Sequence, residues 1–141
     1  MKPEYFDIID LIPQRPPMVM VGSHEFSNEK KTISTFNIKE DNIFCNDGFF
    51  TEPGLIENIA QTCAIRIGYF NKINEKEILI GFIGAIKELK IYFLPAVLTE
   101  IITEIFIETE ILGFTLIRGK VISNENICAE CEMRILIKQE M

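Results

Sequence analysis

The sequence predicts an α+β domain in which one long apolar helix lies against a single antiparallel sheet. Three observations carry that prediction. Leu55–Phe70 is the one long stretch that reads as helix, with no proline inside it and Pro53 placed to open its first turn. Beyond residue 100, three strand-like runs follow one another through short turns. The 141 residues include 26 Ile and 11 Phe but no Trp, a bias toward side chains that suit a pleated, buried surface.

Each element has its own justification. Apolar residues between Glu4 and Leu11 fall at mixed helical spacing before Pro13, which predicts a short N-terminal helix packed as a lid. Met18–Phe26 and Thr32–Lys39 are β-rich runs joined by the polar Ser27–Lys31, a hairpin. Asp41–Gly48 is polar and irregular and leads to Glu52, Pro53 and Gly54, where the long helix starts. Within that helix Ala60, Ala64 and Gly68 recur every four residues, a stripe expected to let the backbone approach the sheet. Ile78–Phe93 reads as a long strand ended by Pro95. In Glu100–Ile111, positions 101, 103, 105, 107, 109 and 111 are apolar or Thr and face one way, whereas Glu100, Glu104, Glu108 and Glu110 face the other. Phe114–Ser123 and Ile127–Lys138 complete a meander of three or four strands, with Cys131 inward and Cys128 outward. No repeat or linker divides the chain, so residues 1–141 form one domain.

Composition excludes several classes of function. Fourteen basic against 21 acidic residues give a net charge of −7, a field that repels nucleic acid and anionic membranes. Neither a signal peptide nor a run long enough to span a bilayer occurs, so the expectation is a soluble cytoplasmic protein with reduced thiols. Cys128 and Cys131 are half of a zinc motif without the other half, so no metal is expected. The eight glycines form no phosphate cradle, so no nucleotide cofactor is expected either. The single histidine, His24, sits in a strand without a nucleophile-bearing turn and is read as structural.

Glu57 stands out. It lies near the start of a helix expected to be enveloped by sheet, where a carboxyl held between desolvation and the positive helix end can act as general acid or base. Its bland alternative is a solvent-facing or interface glutamate that complements the helix dipole. Gln61, one turn later, shares its face and is placed to hold it.

Leu11–Gly22 (LIPQRPPMVMVG), Pro53–Ala64 (PGLIENIAQTCA) and Ile80–Val97 (IGFIGAIKELKIYFLPAV), in that order, resemble the 3-hydroxyacyl-acyl-carrier-protein dehydratases of the hotdog fold. The resemblance implies a sheet wrapped around the central helix, a homodimer joining two sheets, and an acyl tunnel at the subunit interface. It also implies that Glu57 is the catalytic acid, that backbone amides near Gly54 and Gly84 grip the thioester, and that a loop histidine of the opposite subunit removes the C2 proton. That histidine is missing from Ile43–Gly54, and Gln14 replaces another histidine usual in the family. Three functions follow from the resemblance. One is a dehydratase-like lyase of fatty-acid or polyene-type lipid assembly with Asp47, Asn46 or Cys45 as altered partner of Glu57. The second is a thioesterase whose oxyanion donors are the amides of Gly54 and Leu55. The third is a silent acyl-binding subunit, or one that pairs with a related active hotdog chain or in a higher oligomer. The resemblance implies an acyl thioester on acyl carrier protein or CoA as the substrate. An acidic carrier would need a basic patch, for which Arg15, Arg66, Lys87, Lys90, Arg118 and Arg134 are candidates.

Overall fold

The structure is a computed structural model that describes residues 6–111 and 113–138. Its strands are β1 (Ser23–Ser27), β2 (Lys31–Asn37), β3 (Cys45–Asn46), β4 (Phe49–Phe50), β5 (Gly81–Ile91), β6 (Glu100–Ile111), β7 (Phe114–Ser123) and β8 (Asn126–Ile137). The helix α1 (Glu52–Ile73) lies between β4 and β5. The main sheet is antiparallel, in the order β1-β2-β6-β7-β8-β5. It is therefore wider than the expected meander, because β5 precedes β6 in the chain yet pairs with β8 on the opposite edge. The segment 92–99 makes that crossing, tied down where Phe50 N–H donates to Pro95 O (2.9 Å) and Leu98 N–H to Ile38 O (2.6 Å).

The core lies between the sheet and α1, built from Ile59 and Cys63 of the helix against Ile101, Ile105, Ile117, Val121, Met133 and Ile135. Close approach comes from the sheet side: a Cβ on Gly119 would sit 2.6 Å from the Ile59 side chain. The small-residue stripe has a different use from the one expected. A Cβ on Gly68 would lie 1.9 Å from the Leu11 carbonyl oxygen, so Gly68 admits the N-terminal segment, and Ala60 and Ala64 line a cavity. Leu11 and Ile12 are each 1% exposed and pack against Ile65 and Tyr69. The expected N-terminal helix shortens to one 3-10 turn at Ile8–Asp10, with residues 4 and 5 outside the described part.

Two β-bulges move side chains that strict alternation would have placed elsewhere. Ile107 pairs with Ile117 and Thr109 with Leu116, so Glu108 is an extra residue and the phase of β6 reverses after it. Thr109 and Ile111 leave the core face, and Glu110 swings to the helix side, where it lies 3.8 Å from the buried Arg66. On β8, Val121 pairs with Ala129 and Ile122 with Ile127, which makes Cys128 the extra residue. Cys128 is consequently buried at 0% exposure and not outward, while Ile127 is 40% exposed. Burial pushes the Cys128 and Cys131 thiols up to about 11 and Cys63 up to about 12, so all three are protonated at neutral pH.

His24 on β1 stacks against Tyr69, with centroids 4.5 Å apart, and its Nε2 is 2.7 Å from Ser27 Oγ. Burial holds its imidazole below the usual 6.5. The unfolded chain therefore binds that proton more readily, and this contribution to stability is intact above pH 6.5 and lost as pH falls through the lowered value. In thermal melts, the advantage of the wild type over His24→Gln should shrink between pH 7.5 and pH 5.5. A constant difference would show that His24 does not titrate in that window.

Candidate functional site

The site begins with a polar seam between α1 and the sheet. Asn58 is fully buried; its Nδ2 donates to Met20 O (2.7 Å), and its Oδ1 accepts from Thr103 Oγ1. Thr62 Oγ1 is in contact with Ser34 Oγ at 2.7 Å. A helix shifted or turned against the sheet would leave these buried groups unpaired, at roughly 1–3 kcal/mol each. The seam thus fixes the rotation of α1. With Asn58 pinned inward, its neighbour Glu57 points about 100° around the helix, as a 3.6-residue turn requires.

Gln61 then fixes the carboxylate. Its Oε1 accepts from Met20 N–H (2.7 Å), and its Nε2 donates to Met18 O (2.8 Å) and to Glu57 Oε2 (2.8 Å). Because the Met20 amide is a donor, only an oxygen can face it, so the Gln61 amide has one satisfied orientation. These bonds also explain why Met18–Gly22 is not strand: Met18 and Met20 give their backbone groups to helix side chains, and β1 begins only at Ser23.

Glu57 lines a cavity of about 210 Å³ between α1 and the β5–β8 edge. Ala60, Ala64 and Ile67 form the helix wall, and Phe82, Ile83, Ile135 and Ile137 face them. Apart from Glu57 the polar side chain in this lining is that of Gln14. A cavity whose side chains are apolar apart from one fixed carboxyl and one amide has the lining of a site for an alkyl chain. The remaining expected site residues lie elsewhere. Leu55 is buried and its N–H is committed to Thr51 O (3.1 Å). Gly54 is packed so closely that a Cβ would meet the Phe50 ring at 2.4 Å. Gly84 is the extra residue of a bulge between Ile83 and Ala85. None of these three lines the cavity.

Cys45, Asn46 and Asp47 lie on the β3–β4 hairpin and line a separate shallow pocket with Glu40 and Val97. Asp47 (φ 51°) and Gly48 (φ 84°) both occupy the left-handed region, which a two-residue hairpin turn demands. Burial and the nearby Asp41 raise the Cys45 thiol, so it is no substitute for an imidazole base at neutral pH. Among the candidates for a basic patch, Arg66 is 3% exposed and bonds to Asn28 O and Glu29 O, and Arg118 is paired with Glu108 and Glu88. Among the described residues no cluster of metal-ligating side chains is formed, and no helix is long and apolar enough to cross a membrane.

An antiparallel sheet holding a single helix defines the hotdog fold, and the family match makes the chain a dehydratase-like member of it. Residues 6–141 match the family model described as ApeP dehydratase, and the chain belongs to this ApeP-like family. The structure is similar to that of the dehydratase heterocomplex ApeI:P from Xenorhabdus doucetiae, with a TM-score of 0.91 at 13% identity, covering 97% of this chain and 94% of that one. It also resembles an HP0420 homologue from Helicobacter felis (TM-score 0.68, 15% identity, 94% and 88% covered). A third likeness is to a hypothetical thioesterase with coenzyme A from Streptococcus pneumoniae (TM-score 0.65, 7% identity, 84% and 86% covered). Comparison with curated protein sequences finds no match.

Proposed function

We propose that this chain supplies the acid half of a 3-hydroxyacyl-thioester dehydratase and that a related hotdog subunit supplies the base. The observation that carries this reading is Glu57, the one ionisable side chain lining the cavity, held there by Gln61. The base of the partner removes the C2 proton. The electron pair of that C–H bond forms the C2–C3 double bond, the C3–O bond breaks, and Glu57 gives its proton to the leaving oxygen, so enoyl thioester and water result. Proton return from base to Glu57 restores the starting state.

A second copy of this chain would bring a second Glu57, and its one histidine, His24, is already engaged with Tyr69 and Ser27. Pairing with a histidine-bearing relative is therefore favoured over a homodimer, in keeping with the heterocomplex of the Xenorhabdus protein. The edge strand β5 is the proposed seat: Phe82, Ile86 and Leu89 are 55%, 37% and 40% exposed along it. The acyl group is proposed to arrive on acyl carrier protein or CoA, in the cytoplasm, during assembly of a fatty-acid or polyene-type lipid. Thioester hydrolysis is the second reading, favoured by one point: a lone carboxylate can activate water without an imidazole partner.

One screen separates them. The chain alone and mixed with a hotdog subunit carrying a loop histidine is given 3-hydroxyacyl-pantetheine. Enoyl thioester formed only in the mixture is the expected outcome, free thiol released by the chain alone would replace the lyase reading with hydrolysis, and full lyase activity of the chain alone would remove the need for a partner.

A further inference from the structure

We infer that Gln14 is a substrate-binding residue that accepts a hydrogen bond from the 3-hydroxyl group of the acyl chain, and so selects hydroxylated over saturated acyl groups. This inference rests on the lyase reading of the same cavity. Gln14 Oε1 is buried and meets no donor in the structure, although its side chain lines the cavity that holds Glu57. A buried amide oxygen without a donor is costly, and such groups persist where a ligand completes them.

The position of Gln14 is firmly set. Leu11 and Ile12 anchor the chain before it, Arg15 Nη1 donates to Ile12 O (2.8 Å) and Gln14 O (2.7 Å), and Gln61 grips Met18 and Met20 after it. The segment that carries Gln14 is thus fastened to the same amide that holds Glu57. The other side chains that line the cavity are hydrocarbon, including those of Ala60, Ala64, Ile67, Ile83 and Ile135. A ligand matching this lining has one small polar group able to donate and accept at once, attached to an alkyl chain. The 3-hydroxyl does both: its hydrogen goes to Gln14 Oε1, and its oxygen takes the proton that Glu57 gives on the lyase reading. A saturated chain leaves the Gln14 oxygen buried and unpaired, and an enoyl product does the same, which favours release after water departs.

The test uses two unreactive pantetheine amides, one bearing 3-hydroxyoctanoyl and one bearing octanoyl, titrated calorimetrically into the chain alone and mixed with a hotdog subunit carrying a loop histidine. The wild type should bind the hydroxylated ligand about tenfold more tightly, the worth of one buried hydrogen bond. Gln14→Met should bring the two affinities together, and Gln14→His, which retains an acceptor, should restore part of the preference; thermal melts check that both variants fold. Equal affinities in the wild type, a preference that survives Gln14→Met, or binding of neither ligand would each overturn the inference. Failure of the lyase reading has a separate signature, because it removes enoyl formation whether or not the hydroxyl preference is seen.

Discussion

Glu57→Gln is expected to lower enoyl-thioester formation by the assembled enzyme by about 10²–10⁴-fold, the usual worth of a positioned general acid. The substitution is chosen because it leaves the surroundings almost intact. A glutamine at this position still offers an oxygen to Gln61 Nε2, so the bonds from Gln61 to Met18 and Met20 are kept. What disappears is the transferable proton. The melting temperature should therefore stay within about 2 °C of wild type, since the change touches no core contact. Gln61→Ala would be a poorer probe, because it strips buried backbone groups of their partners and mixes folding with chemistry. An unchanged rate in Glu57→Gln would exclude Glu57 as the acid and return it to the role of a charge beside the helix N-terminus.

The largest expected effect on stability comes from Gly68→Ala. The new Cβ would fall 1.9 Å from Leu11 O and 2.8 Å from the carbonyl carbon, and neither atom is the end of a flexible side chain. Either α1 retreats or the Leu11–Ile12 segment leaves its place on Ile65 and Tyr69. Overpacking of this kind costs about 3 kcal/mol, and in a chain of this size that lowers Tm by about 10 °C. Helix propensity works the other way, since alanine is favoured over glycine by about 1 kcal/mol, so a clear loss isolates the steric term. A variant as stable as wild type would mean that the N-terminal segment does not dock at Gly68. Should folded variant be obtained, its displaced Leu11 would also shift Gln14, three residues on.

Much of the fold was legible in residue patterns. Glu100–Ile111 and Phe114–Ser123 are strands over the residues that alternation marked out. The long helix was legible too, although it extends from Glu52 to Ile73, past the apolar stretch on both sides. Alternation failed where one inserted residue reverses the phase, at Glu108 and Cys128, because a bulge leaves no compositional trace. It failed again at Met18–Met20, where a β-like composition serves a segment that bonds to Asn58 and Gln61 instead of to a strand. Adjacency in the chain misled the placement of β5, whose partner is β8. In the candidate site, Glu57 and Gln61 were visible because their spacing puts them on one helix face. Gln14 was visible only as a departure from a family motif, since its place in the cavity depends on packing at Gly68 and on the amide of Gln61. Asn58 went unremarked, though a polar side chain between apolar helix positions was a usable sign.

The edge strand β5 has one further consequence. Its outer rim carries backbone groups without a strand partner among the described residues, and Gly81, Phe82 and Ile83 of the same strand wall the cavity. An open rim flanked by exposed apolar side chains is a template for edge-to-edge aggregation. The bulges at Gly84 and between Lys87 and Lys90, together with those lysines, interrupt its regularity and limit runaway polymerisation. The proposed pairing edge and a wall of the Glu57 cavity thereby share one stretch of eleven residues, so a substitution there that weakened the proposed pairing would also open the cavity.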